Sequence, residues 1–139
     1  MPVAGKCVVV QAGESTVFAD GVARAPGISS VTAGSERLCF QLSTLPPGAI
    51  GKAHLHADHE SALYVLEGET VLWFGDHLED RIEARTGDFV YVPANTPHLP
   101  MNASTTDPIV LLVARTDPNE QESMTLLPHL DGLPHVVRA

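Results

Sequence analysis

"AHLHADHESALYVLEGE", residues 53–69, is the stretch on which the reading of this chain turns. It sets His54, His56 and His59 close together and follows them with Glu60. Residues i and i+2 of a strand point to the same face. His54 and His56 therefore address one space, about 7 Å apart along the chain. Two neutral imidazoles so placed can chelate a divalent ion. Glu60 can return across a turn as an anionic ligand. His98 lies in a second strand-like segment, "VPANTPHLPMN" (residues 92–102), and can reach the same ion from across a barrel. Three nitrogens and one oxygen suit Fe, Mn, Ni, Cu or Zn better than Ca or Mg. His77, His129 and His135 are isolated beside polar or turn residues and read as solvated or hydrogen-bonded side chains.

Period-two patterning extends outward from this stretch. In "ERLCFQLSTL" (36–45), Leu38, Phe40 and Leu42 alternate with Arg37, Gln41 and Ser43, which predicts a strand with one buried face. "PPG" (46–48) marks a turn. "ALYVLEGETVLWFG" (62–75) reads as a hairpin turning at Glu67-Gly68. "LEDRIEA" (78–84) reads as an edge or outer strand, and Phe89 to Val92 as another strand. "PIVLLVA" (108–114) is a continuous apolar run that suits a strand buried on both faces. No helix of ten residues or more is evident, and "DPNEQESM" (117–124) suits a loop. Many short strands with Gly and Pro turns predict an all-β sandwich or barrel. One domain is expected over 1–139, its barrel core at about 36–115. The segments 1–35 and 116–139 should wrap that core or contact a partner subunit.

Composition narrows the function classes. The chain has 139 residues, with 17 acidic against 8 basic side chains and a net charge of −9. Such a surface repels phosphate backbones and anionic membranes, so neither nucleic acid nor a membrane is an expected partner. Cys7 and Cys39 form no CxxC pair and read as two reduced, buried thiols. The start, "MPVAGKCVVVQAGES", is too short and too polar for a signal peptide or a span, and no later segment has eighteen apolar residues in a row. A soluble, cytoplasmic protein is the expectation. Aromatics are only 5% of residues, so the core must be chiefly aliphatic.

The histidine stretch and the segment holding His98 together resemble the cupin family. Its first motif, G-x5-H-x-H-x3,4-E-x6-G, is matched by Gly48, His54, His56, Glu60 and Gly68. Its second, G-x5-P-x-G-x2-H-x3-N, is matched by Gly87, Pro93, His98 and Asn102, with Asn95 in place of the middle glycine. Asn tolerates left-handed turns better than most residues. The resemblance implies a double-stranded β-helix, or jelly-roll, barrel with a metal pocket in its interior. It also implies metal ligands at His54, His56, Glu60 and His98, a bound Fe, Mn, Ni or Zn ion, and a homodimer.

One spacing departs from the motif. Seven residues, not six, separate Glu60 from Gly68, so counting back from Gly68 puts Ser61 at the carboxylate position. Strand parity then turns Ser61 and His59 inward with Leu63 and Val65, and Glu60 outward. A β-bulge could absorb the extra residue and restore Glu60. His59 could bind instead, or the ion could keep three histidines with water near Ser61. Glu60 is the first choice because the motif allows a three-residue gap after His56.

Leu63, Trp73, Phe89, Tyr91 and Met101 are candidates to line the pocket, although core packing alone would account for each. Asp88 should cap its turn, and Asn102 should tie the loop holding His98. The zincin pattern HExxH is excluded, since Leu63 stands where its second histidine would be. The resemblance implies a metal-dependent enzyme acting on a small organic molecule, a dioxygenase first and an isomerase, cyclase or lyase second. A non-catalytic cupin that binds a small molecule is the other expectation.

Overall fold

The strand over Cys39–Leu45 forms as expected, but with the opposite face inside. Cys39, Gln41, Ser43 and Leu45 are buried, whereas Leu38 and Phe40 are exposed. Apolar alternation predicts the inner face only when the interior is apolar. Here the interior beside this strand holds buried charges, and Gln41 turns in to meet them: its Nε2 donates to Glu122 Oε1 at 2.9 Å.

A computed structural model describes residues 5–138. The strands are β1 (Thr16–Val17), β2 (Ala23–Ile28), β3 (Cys39–Leu45), β4 (His54–His56), β5 (Ser61–Glu67), β6 (Glu69–Phe74), β7 (Asp80–Arg85), β8 (Phe89–Val92), β9 (His98–Asn102), β10 (Ile109–Arg115) and β11 (Met124–Leu126). They form two antiparallel sheets, ordered β1-β2-β3-β10-β5-β8 and β11-β4-β9-β6-β7. The sheets face one another as an all-β jelly-roll barrel. The helical content of the described residues is one 3₁₀ turn, Pro128–Leu130.

The expected hairpin at Glu67-Gly68 is not one. β5 belongs to the first sheet and β6 to the second. Only Gly68 separates them, and at φ 93° it carries the chain from one sheet to the other. A hairpin keeps its two strands laddered to each other. Here β5 pairs with β8 and β10, while β6 pairs with β7 and β9. The expected edge strand is β7, which closes one side of the second sheet.

An aliphatic core fills the space between the sheets. Leu45, Val65, Leu72, Val90, Val92, Ile109, Leu111 and Val113 are buried together there. A second cluster lies on the far side of β6 and β9, where Val71, Trp73, Leu99 and Met101 pack with Leu130 and Leu133 of the C-terminal segment. That segment is pinned by Trp73 Nε1, which donates to Val137 O at 3.0 Å. The outer face of the second sheet is thus covered by the chain's own tail.

The first sheet is covered only in part: Val10 and Ala12 of the N-terminal segment lie beside Phe40, Leu42 and Leu112. Residues alternate along β10, with Ile109, Leu111, Val113 and Arg115 buried and Val110, Leu112 and Ala114 half-buried. The expectation of burial on both faces is corrected accordingly. On the same outer face Phe89 is 81% exposed and Tyr91 60%. The chain ends contribute strands of their own: β1 and β2 extend the first sheet and β11 the second. Cys7 is exposed, against expectation, and Cys39 is buried; both are free thiols. Burial raises the Cys39 thiol to about 11, which makes it inert near neutrality.

Candidate metal centre

His54 and His56 sit two residues apart on β4 and share its inner face, both buried. His98 is the first residue of β9 and pairs directly across from His54. One ligand atom from each of the three lies within 4.8 Å of the others. Their rings are close, with centroids 4.3 Å apart for His54 and His98 and 5.0 Å for His54 and His56.

The orientation of each ring is set by its main-chain partner. His54 Nδ1 lies 2.7 Å from Lys52 O, His56 Nδ1 2.6 Å from Glu122 O, and His98 Nδ1 2.9 Å from Thr96 O. A carbonyl can only accept, so each Nδ1 carries the proton and each Nε2 keeps its lone pair. His56 Nε2 is buried and has no hydrogen-bond partner. A buried, unpaired acceptor costs about 1–3 kcal/mol. Three converging lone pairs with tautomers fixed from behind are the donor set of a transition-metal site. The residues present therefore fit a divalent metal.

The electrostatics agree. Burial, followed by the nearby Arg115 and the other two imidazoles, lowers His56 to about 2. Burial and the neighbouring His54 lower His98 to about 3. His54 is lowered as well, chiefly by burial and in spite of Asp20. All three rings are neutral at neutral pH, as coordination requires.

Glu60 lies outside this group. It stands just before β5, is exposed, and its Oε1 accepts from Tyr91 Oη at 2.7 Å. β5 does contain a bulge, but at Leu66, between Val65↔Leu111 and Glu67↔Val110. That is beyond the inward set Ser61, Leu63 and Val65, so it cannot rotate Glu60 inward. Ser61 is buried, and Arg115 Nε donates to its Oγ at 2.7 Å. His59 is also outside the group, with Nε2 3.7 Å from Asp117 Oδ2.

Four charged residues that the sequence left unremarked surround the histidines. Arg24 bonds Asp20 through both oxygens, Nη1 to Oδ1 at 2.9 Å and Nη2 to Oδ2 at 2.8 Å. Its Nε faces Glu122 Oε2 at 3.1 Å, and the same oxygen pairs with Arg115. All four are buried. Two acids and two bases cancel, so the wall is charge-balanced before any ion enters. Burial alone would raise Asp20, but the Arg24 bond and charge outweigh it and hold the carboxyl below its ordinary value. Glu122 adopts φ 67°, a left-handed conformation uncommon for a non-glycine residue. That conformation lets one residue give its carbonyl to His56 and its carboxylate to two arginines.

A cavity of about 50 Å³ borders the histidines. Asp20, Arg24, Ser43 and Arg115 give it polar walls, and Leu63, Leu72, Val92, Leu111 and Val113 apolar ones. Leu63 thus lines the pocket as expected. Trp73 and Met101 belong to the second core cluster, and Phe89 and Tyr91 face outward. Asp88 caps its turn by accepting from Arg85 N at 2.9 Å. Asn102 does not tie the His98 loop; its Nδ2 donates to Leu45 O, Pro46 O and Asp107 O, joining two other turns. Asn95, at the motif's middle glycine, has φ 61° and accepts from Asp58 N.

No curated protein sequence matches the chain. Among solved structures, Bacillus subtilis oxalate decarboxylase is similar over 82% of this chain and 30% of its own, at 20% identity and a TM-score of 0.69; one such structure concerns the Mn(II) centres of that enzyme. Another structure of oxalate decarboxylase, concerned with its substrate binding mode, aligns over the same shares at 21% identity with a TM-score of 0.69. The chain therefore spans under a third of the length of those enzymes, and at these identities the likeness speaks for the fold. The family described as "Cupin domain" matches residues 41–115, more than half of the chain. With its two antiparallel sheets and the motif histidines of both strands brought together, this chain belongs to the cupin domain family.

Proposed function

We propose that the barrel holds one divalent transition-metal ion on His54, His56 and His98 and that the protein is a metal-dependent enzyme acting on a small organic anion. The observation that carries this reading is the set of three buried imidazoles, each with Nδ1–H given to a carbonyl and Nε2 facing the others. When bound, such an ion supplies Lewis acidity at its open positions and, if redox-active, electron transfer to dioxygen.

The anion follows from charge. The three rings are neutral and the four surrounding charges cancel, so a divalent ion leaves the cavity with two uncompensated positive charges. In a low-dielectric barrel these favour a small, oxygen-bearing anion. Leu63, Leu72, Val92, Leu111 and Val113 keep bulk water away from it. Arg115, held between Glu122 and Ser61, and Arg24, held by Asp20, provide fixed donors along one wall. The Mn(II) centres of the structurally similar oxalate decarboxylase agree with this class of ligand. A dioxygenase reaction is the first form of the activity, and isomerisation, cyclisation or lyase chemistry the second.

The small cavity favours one further reading, a non-catalytic binder whose metal serves stability. Elemental analysis of protein purified without a metal-affinity tag, followed by oxygen uptake and product analysis with β-diketones, catechols and hydroxy acids, tests both. Stoichiometric transition metal with turnover of one class is the expected result. Metal that raises thermal stability while no compound turns over would favour the binder, and no metal at all would refute both.

The exposed part of the first sheet's outer face supports a homodimer. Tyr64, Phe89 and Tyr91, with Val110 and Leu112 half-buried beside them, form a largely apolar surface edged by Glu60, and a second copy of that surface complements its apolar part.

A further inference from the structure

The motif's carboxylate is absent from the histidine group, yet a carboxylate is present beside it. Asp20 is fully buried and borders the same cavity as His54, His56 and His98. It comes from the turn between β1 and β2, outside residues 41–115. We propose that Asp20 is a fourth ligand to the ion held by the three histidines, replacing in space what Glu60 does not supply; this inference rests on the metal reading above.

Three observations converge on it. The first is distance. Asp20 Oδ2 lies 3.6 Å from His54 Nε2. Two ligand atoms each about 2.1 Å from one ion stand roughly 3.0–3.4 Å apart in octahedral or tetrahedral geometry, which is close to the His54 contact. Asp20 stands outside the set of ligand atoms lying within 4.8 Å of one another, so coordination requires its side chain to shift toward His56 and His98 as the ion enters.

The second is protonation. His54 Nδ1–H is committed to Lys52 O, so Nε2 presents a lone pair to an anionic oxygen. Two acceptors facing each other in a buried site repel. A cation between them converts both into ligands. Pairing with Arg24 explains why Asp20 can be buried, but not why it is set against the lone pair of a neutral ring. The Arg24 bond leaves room for coordination, since a carboxylate oxygen accepts more than one partner.

The third is anchoring. The Asp20 main-chain carbonyl accepts from Lys52 N at 2.9 Å, two residues before His54. Its Oδ1 also accepts from Val22 N at 3.1 Å. The turn is thus tied to the approach of β4, and the carboxylate is held from two further sides.

The test uses the full chain, stripped of metal and titrated with Co(II) against a competing chelator, with the visible absorption spectrum as a second readout. Asp20→Asn is compared with Arg24→Gln. The expected result is one Co(II) per wild-type chain, a loss of affinity of about tenfold or more in Asp20→Asn with displaced d–d bands, and wild-type band positions in Arg24→Gln. If Asp20→Asn does not fold because Arg24 loses a counter-charge, Arg24→Gln is compared with the double variant Asp20→Asn/Arg24→Gln, and the same displacement is expected between them. Wild-type affinity and spectrum without the carboxylate would overturn the assignment. So would equal losses in both single variants with unchanged bands, which would leave Asp20 as the partner of Arg24 alone. A wild-type protein that binds neither Co(II) nor Mn(II) would overturn the metal reading itself, a result distinguishable from either.

Discussion

Ser61 Oγ accepts a hydrogen bond from Arg115 Nε at 2.7 Å inside the barrel, while its neighbour Glu60 bonds Tyr91 outside it. One step along a strand separates two opposite environments. Removing the Glu60 carboxylate should therefore leave metal loading untouched. Glu60→Gln is expected to retain wild-type stoichiometry by elemental analysis, with affinity within about twofold. A larger loss would return Glu60 to the ligand set.

The histidines should behave in the opposite way. His56→Ala removes a buried lone pair that no hydrogen bond satisfies. Its metal affinity should fall by more than the roughly 10–100-fold that losing a group behind a ligand costs. The fold should survive, because the aliphatic core between the sheets is built by Val, Leu and Ile side chains that the substitution leaves in place. Far-ultraviolet circular dichroism with metal analysis checks both halves. A folded His56→Ala protein with stoichiometric metal would remove this residue from the site.

Acid should destabilise the metal-free protein through the same rings. An exposed imidazole titrates near 6.5, whereas folding lowers His98 to about 3 and His56 to about 2. Between about pH 6.5 and pH 3 the unfolded chain binds more protons than the folded one. Stability therefore rises with pH across that window and falls as pH is lowered, by up to about 1.4 kcal/mol per pH unit for each histidine. Asp20, held below its ordinary range, contributes a further loss under about pH 4. Urea midpoints of the metal-free protein at several pH values should show this slope, and His98→Gln should reduce it. A midpoint flat from pH 7 to 5 would contradict burial of neutral rings. Metal retention should fall over the same range, since coordination needs the unprotonated nitrogen.

These contrasts show what a single sequence reveals here and what it hides. The histidines and strand spans were legible because spacing and period two are local properties. The buried charges were not. Asp20, Arg24, Arg115 and Glu122 are about a hundred residues apart at the extremes, and each alone reads as a solvated side chain. Their pairing also reverses the expected face of β3, because Gln41 and Ser43 turn toward them. The Glu67-Gly68 turn misled for a related reason. One glycine that changes sheets and a turn that reverses the chain look alike until the partners β8, β9 and β10 are known.

Glu122 joins both parts of the site. Its carboxylate pairs with Arg24 and Arg115, and its carbonyl accepts from His56. Glu122→Gln keeps the backbone but leaves two buried guanidinium groups with one carboxylate, Asp20. Breaking a buried ion pair from one side costs about 3–5 kcal/mol. The variant should lose stability of that order in urea denaturation, and the loss should be smaller when Arg115→Met is combined with it. Additive losses would mean that the two residues are not coupled.

The tail that carries Leu130 and Leu133 packs against the second sheet, and Val10 and Ala12 reach the first only beside Phe40, Leu42 and Leu112, so on that sheet's outer face Phe89 and Tyr91 stay largely exposed. Phe89 and Leu112 lie on that face, the first largely exposed and the second half-buried. If a second copy covers them, Phe89→Asp or Leu112→Lys places a charge in the interface and disfavours assembly. Sedimentation equilibrium should then report a dimer for the wild type and a monomer for either variant, with metal content unchanged because both side chains point away from the cavity. A monomeric wild-type protein would rule out the self-association.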